Sequence, residues 1–317
     1  MTNAEIYKRT LGFSIRRLGM KLLSVLLIIG LSAAGFLIME PMNGMGLIGL
    51  SIGLVVSIIL VIFIARFVAY SLKAGQIAMM TQGITEGRLP EDVYEEGKRV
   101  VKERFATVAV FFALTGVIRG IFNQLGRTIT KLGGVIGGET GGAVGDAVSS
   151  AVQTLVAYLC DCCLGWVFYR KTQSSARATC EGAVLFFRHG KTLLRNAGRI
   201  FGIGLLSLLL IGGVFFGVFF LIFAQFPMVF AEIAAAFATD AEASALLTDP
   251  TALTGVAAFI CALVIWSVLH TTFVRPFVLT GVLRNYLESG MNDVPSEATF
   301  AELAGKSKKF AKLQAEL

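Results

Sequence analysis

Ile200 to Ala224 reads IFGIGLLSLLLIGGVFFGVFFLIFA, 25 residues without a charge and with no proline. About 20 predominantly apolar residues suffice to cross the hydrocarbon core of a bilayer as a helix. This stretch therefore predicts a transmembrane helix and makes the chain an integral membrane protein. The whole sequence agrees: 55% of its 317 residues are hydrophobic and 15% are charged, against about 25% charged in an ordinary soluble domain.

Working outward, five further blocks have spanning length: Leu22–Met39, Met45–Ala65, Phe105–Gln124, Ala147–Phe168 and Leu253–His270. The last is expected to run on to Tyr286 with a kink at Pro276. The predicted fold is all-α and polytopic. A basic amphipathic N-terminal helix (1–21) precedes a six-span membrane domain (22–289) and a cytoplasmic C-terminal tail (290–317). The first block is too long for a signal-peptide core and reads as a retained span.

Charge fixes the expected orientation. With an inner N-terminus the inner segments are 1–21, 66–104, 170–199 and 275–317, and they hold 25 of the 28 Lys and Arg residues. The positive-inside rule then puts both termini in the cytoplasm of a plasma or bacterial inner membrane. The net charge of +7 is thereby assigned to anionic inner-leaflet lipid, with no nucleic acid implied.

Three inner segments read as helices. Pro90-Glu91-Asp92 opens one expected to feed directly into the third span. Cys180 to Arg199 reads as an interfacial helix, and Thr299 with Glu302 has capping-box spacing. Lys8–Gly30 laid on Lys191–Gly213 keeps 11 identities in 23, the pattern of a parallel internal repeat or of a shared membrane alphabet.

The second outer loop carries GGVIGGETGGAVG, with glycine at 133, 134, 137, 138, 141, 142 and 145. That near-period of four is helical spacing, and small residues so placed let membrane helices approach closely. Gly133, Gly134, Gly137, Gly138, Gly141, Gly142 and Gly145 are accordingly expected to form a packing face. It belongs to an outward extension of the fourth helix, set against a neighbour or a second copy of the chain. A re-entrant or polar loop is the alternative reading. Glu139 and Asp146, two helical turns apart, either line an outer mouth that attracts cations or are solvated loop acids paired to Arg127 and Lys131.

Asp161, inside the fourth span, is the sharpest single residue. A carboxylate there costs roughly 2.5–3.5 kcal/mol on insertion scales and faces either a cavity or a partner on another span. Around it the candidate solute or ion pathway comprises Tyr158, Arg119, His270 and Trp266. Each has a plainer reading: Tyr158 and Trp266, like Tyr70 and Trp166, as interfacial anchors, Arg119 as a snorkelling cation, His270 as a hydrogen-bonded structural group. Cys160 and Cys163 have CxxC spacing without a second pair, so no metal site is expected. No P-loop, HExxH or GxSxG motif occurs and there are only two histidines. Neither an enzyme nor a cofactor is expected.

Ala74-Gly75 through Leu89-Pro90, Thr107-Val108-Ala109, Asn196-Ala197-Gly198-Arg199 and Tyr286-Leu287-Glu288 together resemble the layout of the choline transporter-like family over about 66–289. The resemblance implies facilitated movement of choline or a related amine. It carries over no binding residue, and this chain has fewer spans than that family. Transport of a small solute or cation is thus the first expected function. A non-transporting membrane scaffold or assembly protein acting through its basic cytoplasmic face is the second.

Overall fold

The computed structural model describes residues 1–42, 44–64, 68, 70–105, 115–120, 142–188, 190–238, 248–293 and 295–315. Among these residues every regular element is helical. In chain order they are α1 (Asn3–Met39), α2 (Gly46–Ile64), α3 (Tyr70–Thr85), α4 (Val93–Arg104), α5 (Gly142–Tyr169), α6 (Ser175–Arg188) and α7 (Gly190–Ser207). There follow α8 (Gly213–Phe223), α9 (Pro227–Ala238), α10 (Pro250–Leu269), α11 (Arg275–Asn292), α12 (Glu297–Lys306) and α13 (Lys308–Ala315). Two π-helical segments, Leu208–Gly212 and His270–Val274, lie between α7 and α8 and between α10 and α11.

Among the described residues, four helical stretches are long and apolar enough to cross a membrane: Asn3–Met39, Gly46–Ile64, Gly198–Phe223 and Pro250–Asn292. They match the first, second, fifth and sixth predicted spans. Of the third, 106–114 and 121–124 lie outside the described residues, and 115–120 is helical.

The chain divides into two compact units, Met1–Ala197 with Pro276–Leu317, and Gly198–Arg275. The first unit combines a hairpin with a helical body. α1 begins at a capping box, in which the Thr2 hydroxyl accepts from the Glu5 amide (3.2 Å) and the Glu5 carboxylate accepts from the Thr2 amide (3.4 Å). It then runs unbroken from the basic stretch into an apolar half long enough to cross a membrane, so the expected boundary at 21–22 falls within one helix. Its apolar half pairs with α2 through glycine. A Cβ at Gly35 would overlap the Gly49 carbonyl, one at Gly49 the Gly35 carbonyl, and one at Gly53 the Leu31 carbonyl. The two backbones touch, and only glycine allows it.

The body surrounds α3, whose residues 74–81 are buried on every side. Phe13 of α1 fills a slot between α3 and α4 left by two glycines: a Cβ on Gly75 or Gly97 would stand 2.8 or 2.6 Å from its ring. α4 starts at Asp92, whose carboxylate accepts from the Tyr94 and Glu95 amides, rather than at Pro90. It ends at Arg104, and residues 106–114, which begin the third predicted span, lie outside the described residues. Phe105 is extended and buried and packs edge-on against Phe168, which ends the helix.

Cys180 to Arg199 is likewise divided between α6 and α7. Ala183, Val184 and Leu185 of α6 are buried within the protein. The C-terminal tail is folded too. α12 starts after Ser296, the Thr299 hydroxyl donates to the Ser296 carbonyl, and Phe300, Leu303 and Phe310 are buried.

In the second unit α8 and α10 meet through Phe216 and Phe259 (6.5 Å, edge-on). α10 opens on Asp249, whose side chain accepts from the Thr251 amide, followed by Pro250 at the first helical position. The irregularity expected at Pro276 takes the form of the π segment just before it. Proline has no N–H for the Thr272 carbonyl, and a wider turn there relieves the clash of its ring with that carbonyl.

Candidate functional site

Asp161 lies on the buried half of α5, with 4% of its surface exposed. Its carboxylate meets the Lys73 ammonium of α3 at 2.5 Å, and the Lys73 side chain is about a third exposed (34%). A buried carboxylate needs such a partner, because desolvation alone costs several kcal/mol. Tyr158, one turn earlier on α5, is buried as well. Trp166 is no interfacial anchor. It is fully buried, and its Nε1–H donates to Glu181 Oε2 (3.1 Å).

Glu181, on α6, is a second buried acid with several partners. It also accepts from Arg170 Nε (3.0 Å), and Arg177 Nε stands 4.0 Å from its other oxygen. Arg177 reaches on to Glu297 at the start of α12 (2.9 Å), and Arg188 pairs with Asp293 (2.9 Å). The C-terminal helices are thus clasped to α6 by charge. At the end of α5 the Arg104 guanidinium donates to the carbonyls of Gln173 (2.7 Å), Arg170 (3.1 Å) and Lys171 (3.4 Å). One α4 side chain thereby caps α5, and burial pulls its pKa below the usual arginine value. Beside Glu181, burial pushes the Cys180 thiol up to about 12, with Arg177 opposing and Glu181 adding to the rise. That thiol is unreactive at neutral pH.

The second unit has a separate polar cluster. The Ser207 hydroxyl donates to the Gly204 carbonyl (2.7 Å) and accepts from Trp266 Nε1 (3.1 Å), and it lies 3.0 Å from His270 Nδ1. The Trp266 and His270 rings are 5.1 Å apart. Each π segment begins at this cluster: Ser207 immediately precedes one, and His270 is the first residue of the other. Single π turns inside α-helices recur at functional sites.

The five expected pathway residues are therefore distributed as follows. Asp161 and Tyr158 share α5 in the first unit, and Trp266 and His270 are joined in the second. Arg119 lies exposed in the helical segment 115–120. Of the glycine repeat, Gly142 and Gly145 form the start of α5; 133–141 lies outside the described residues. Among the described residues no group of three or more His, Cys, Asp or Glu is arranged to hold a metal ion.

Sequence reading missed Lys73, Glu181 and Ser207. Glu181 had a signal: it is the single acid between Asp161 and Glu232, amid a strongly basic segment. Comparison with protein-family models, curated proteins and solved structures finds no match to this chain.

Proposed function

We propose that this protein is a six-span membrane scaffold with both termini in the cytoplasm, working through the helical body of its first unit rather than by moving a solute. The observation that carries this reading is the Lys73–Asp161 contact. The one carboxylate expected to serve a pathway is already neutralised by a neighbouring helix inside a packed core. Exposed Lys8, Arg9 and Arg16 occupy the half of α1 that leads directly into its apolar half, a placement suited to anionic inner-leaflet lipid. The glycine-rich approach to α5 is the proposed contact with a second copy of the chain.

A second reading, conduction of a small solute or cation, draws support from the Ser207–Trp266–His270 cluster and its two π segments. The resemblance to the choline transporter-like family would add amines to the solutes worth testing. One experiment separates the readings: flux of radiolabelled cations, choline and other amines into liposomes carrying wild type, Asp161→Asn or His270→Gln. The scaffold reading expects every flux to equal that of empty liposomes. A protein-dependent flux that either substitution abolishes would overturn it.

A further inference from the structure

The first unit holds a cavity of about 190 Å³ between α3, α4 and the end of α5. Its buried lining is Ala78, Met79 and Phe168 with one polar residue, Thr81, whose hydroxyl is turned to the Gly165 carbonyl (3.5 Å), and Val100 adds a half-buried apolar side chain. Above this lining stand the polar side chains of Thr85, Gln82 and Tyr169. At the mouth are one acid and one base, Glu86 and Lys171, paired with each other at 3.2 Å and both substantially exposed. Gln82 donates to Glu86 Oε2 (3.0 Å) and orients the carboxylate. Lys171 is held in the turn that Arg104 caps through the 170, 171 and 173 carbonyls, so both sides of the mouth are set by the fold.

We propose that this cavity binds a free α-amino acid with an apolar side chain, its ammonium on Glu86 and its carboxylate on Lys171. The size fits: a dry cavity of about 150 Å³ accepts benzene, so this one accommodates a phenyl or leucyl group. The charges fit as well. An exposed ion pair contributes little by itself, so exchanging it for two contacts with a zwitterion costs little. A ligand bearing only one charge would leave Glu86 or Lys171 without its counter-ion. Small-molecule sites commonly combine an apolar lining with a few placed polar groups in this way.

Trp166 lies 5.1 Å from Tyr169, which lines the cavity, so tryptophan emission reports on the site. The experiment titrates the full-length protein in nanodiscs with phenylalanine and leucine, and with their N-acetyl and amide derivatives. Emission is read alongside calorimetry. Saturable binding of the free amino acids is expected. Removing either ligand charge, or introducing Glu86→Gln or Lys171→Met, should weaken it about tenfold or more. Val100→Phe, which fills the cavity, should abolish binding while leaving the melting temperature close to wild type. Absence of saturable binding of both amino acids would overturn the proposal. So would capped derivatives binding as well as the free ones, or affinities unchanged by all three substitutions.

Discussion

The α1–α2 hairpin and the helical body belong to one unit, yet they are held together by opposite means. In the hairpin the contact face is glycine, with Gly35, Gly49 and Gly53 placing backbone on backbone, and the outward face is Leu26, Ile29, Leu37, Leu47 and Ile59, each more than half exposed. In the body, apolar side chains point inward around α3, and the charges that remain inside, Asp161 and Glu181, are paired. Lipid offers no hydrophobic drive to bring two apolar helices together, so shape must do it. Where the apolar faces of helices are turned inward, burial drives packing, and any charge caught inside needs a partner.

The comparison is tested hardest at Glu181. Glu181→Ala leaves the Trp166 N–H and the Arg170 guanidinium without their acceptor, and breaking a buried pair costs about 3–5 kcal/mol. The Arg170 side chain is 27% exposed and water recovers part of that loss, so the lower end is expected. Thermal unfolding in detergent measures it, with Glu181→Gln losing less because it retains an acceptor for Trp166. A change no larger than that of a surface substitution would show that packing alone holds the body.

At Gly49 the expected loss is smaller and local. Gly49→Leu drives a side chain into the Gly35 carbonyl and Met39, an overpacking that costs about 1–3 kcal/mol. Hydrogen exchange in α1 residues 22–39 and in α2 should accelerate while α3 stays protected. Equal loss of protection in α3 would mean that hairpin and body unfold as one, and that the two modes of packing are not independent.

Four long apolar helices were legible because spanning length and hydrophobicity are written directly in the sequence. Leu22–Met39 and Ile200–Ala224 needed no partner to be recognised. What the sequence hid was pairing. Asp161 stood out as a carboxylate among apolar residues, but nothing in local sequence says that Lys73, 88 positions earlier, meets it. Gly46, Gly49 and Gly53, with Ser57, stand three or four residues apart on α2 and are all buried, a contact face that the sequence reading passed over; most of the denser repeat at 133–145 lies outside the described residues. Helix ends also moved where a tertiary contact outweighed a local signal, as when Phe105 stopped α4 by packing on Phe168.

The smallest effect is expected on the outer side of α4, where charge pairs lie in neither setting. Arg99 bonds Glu96 (2.6 and 2.9 Å) and Glu103 (2.5 Å), and its hydrogen bond holds the Glu96 carboxyl below the usual range. A depressed carboxyl pKa contributes stability that is present above the unfolded value, about 4.3, and is lost as pH falls through the folded value. Arg99→Gln should therefore lower the melting temperature barely measurably at pH 7, and that difference should vanish in more acidic buffer as Glu96 protonates in wild type. The effect is small because Arg99 and Glu103 are more than half exposed (58% and 59%) and Glu96 about a quarter (23%), so water replaces much of what the lost partner supplied. A large difference at pH 7 would place α4 with the body's interior charges and erase the distinction between paired charges that are buried and those that are not.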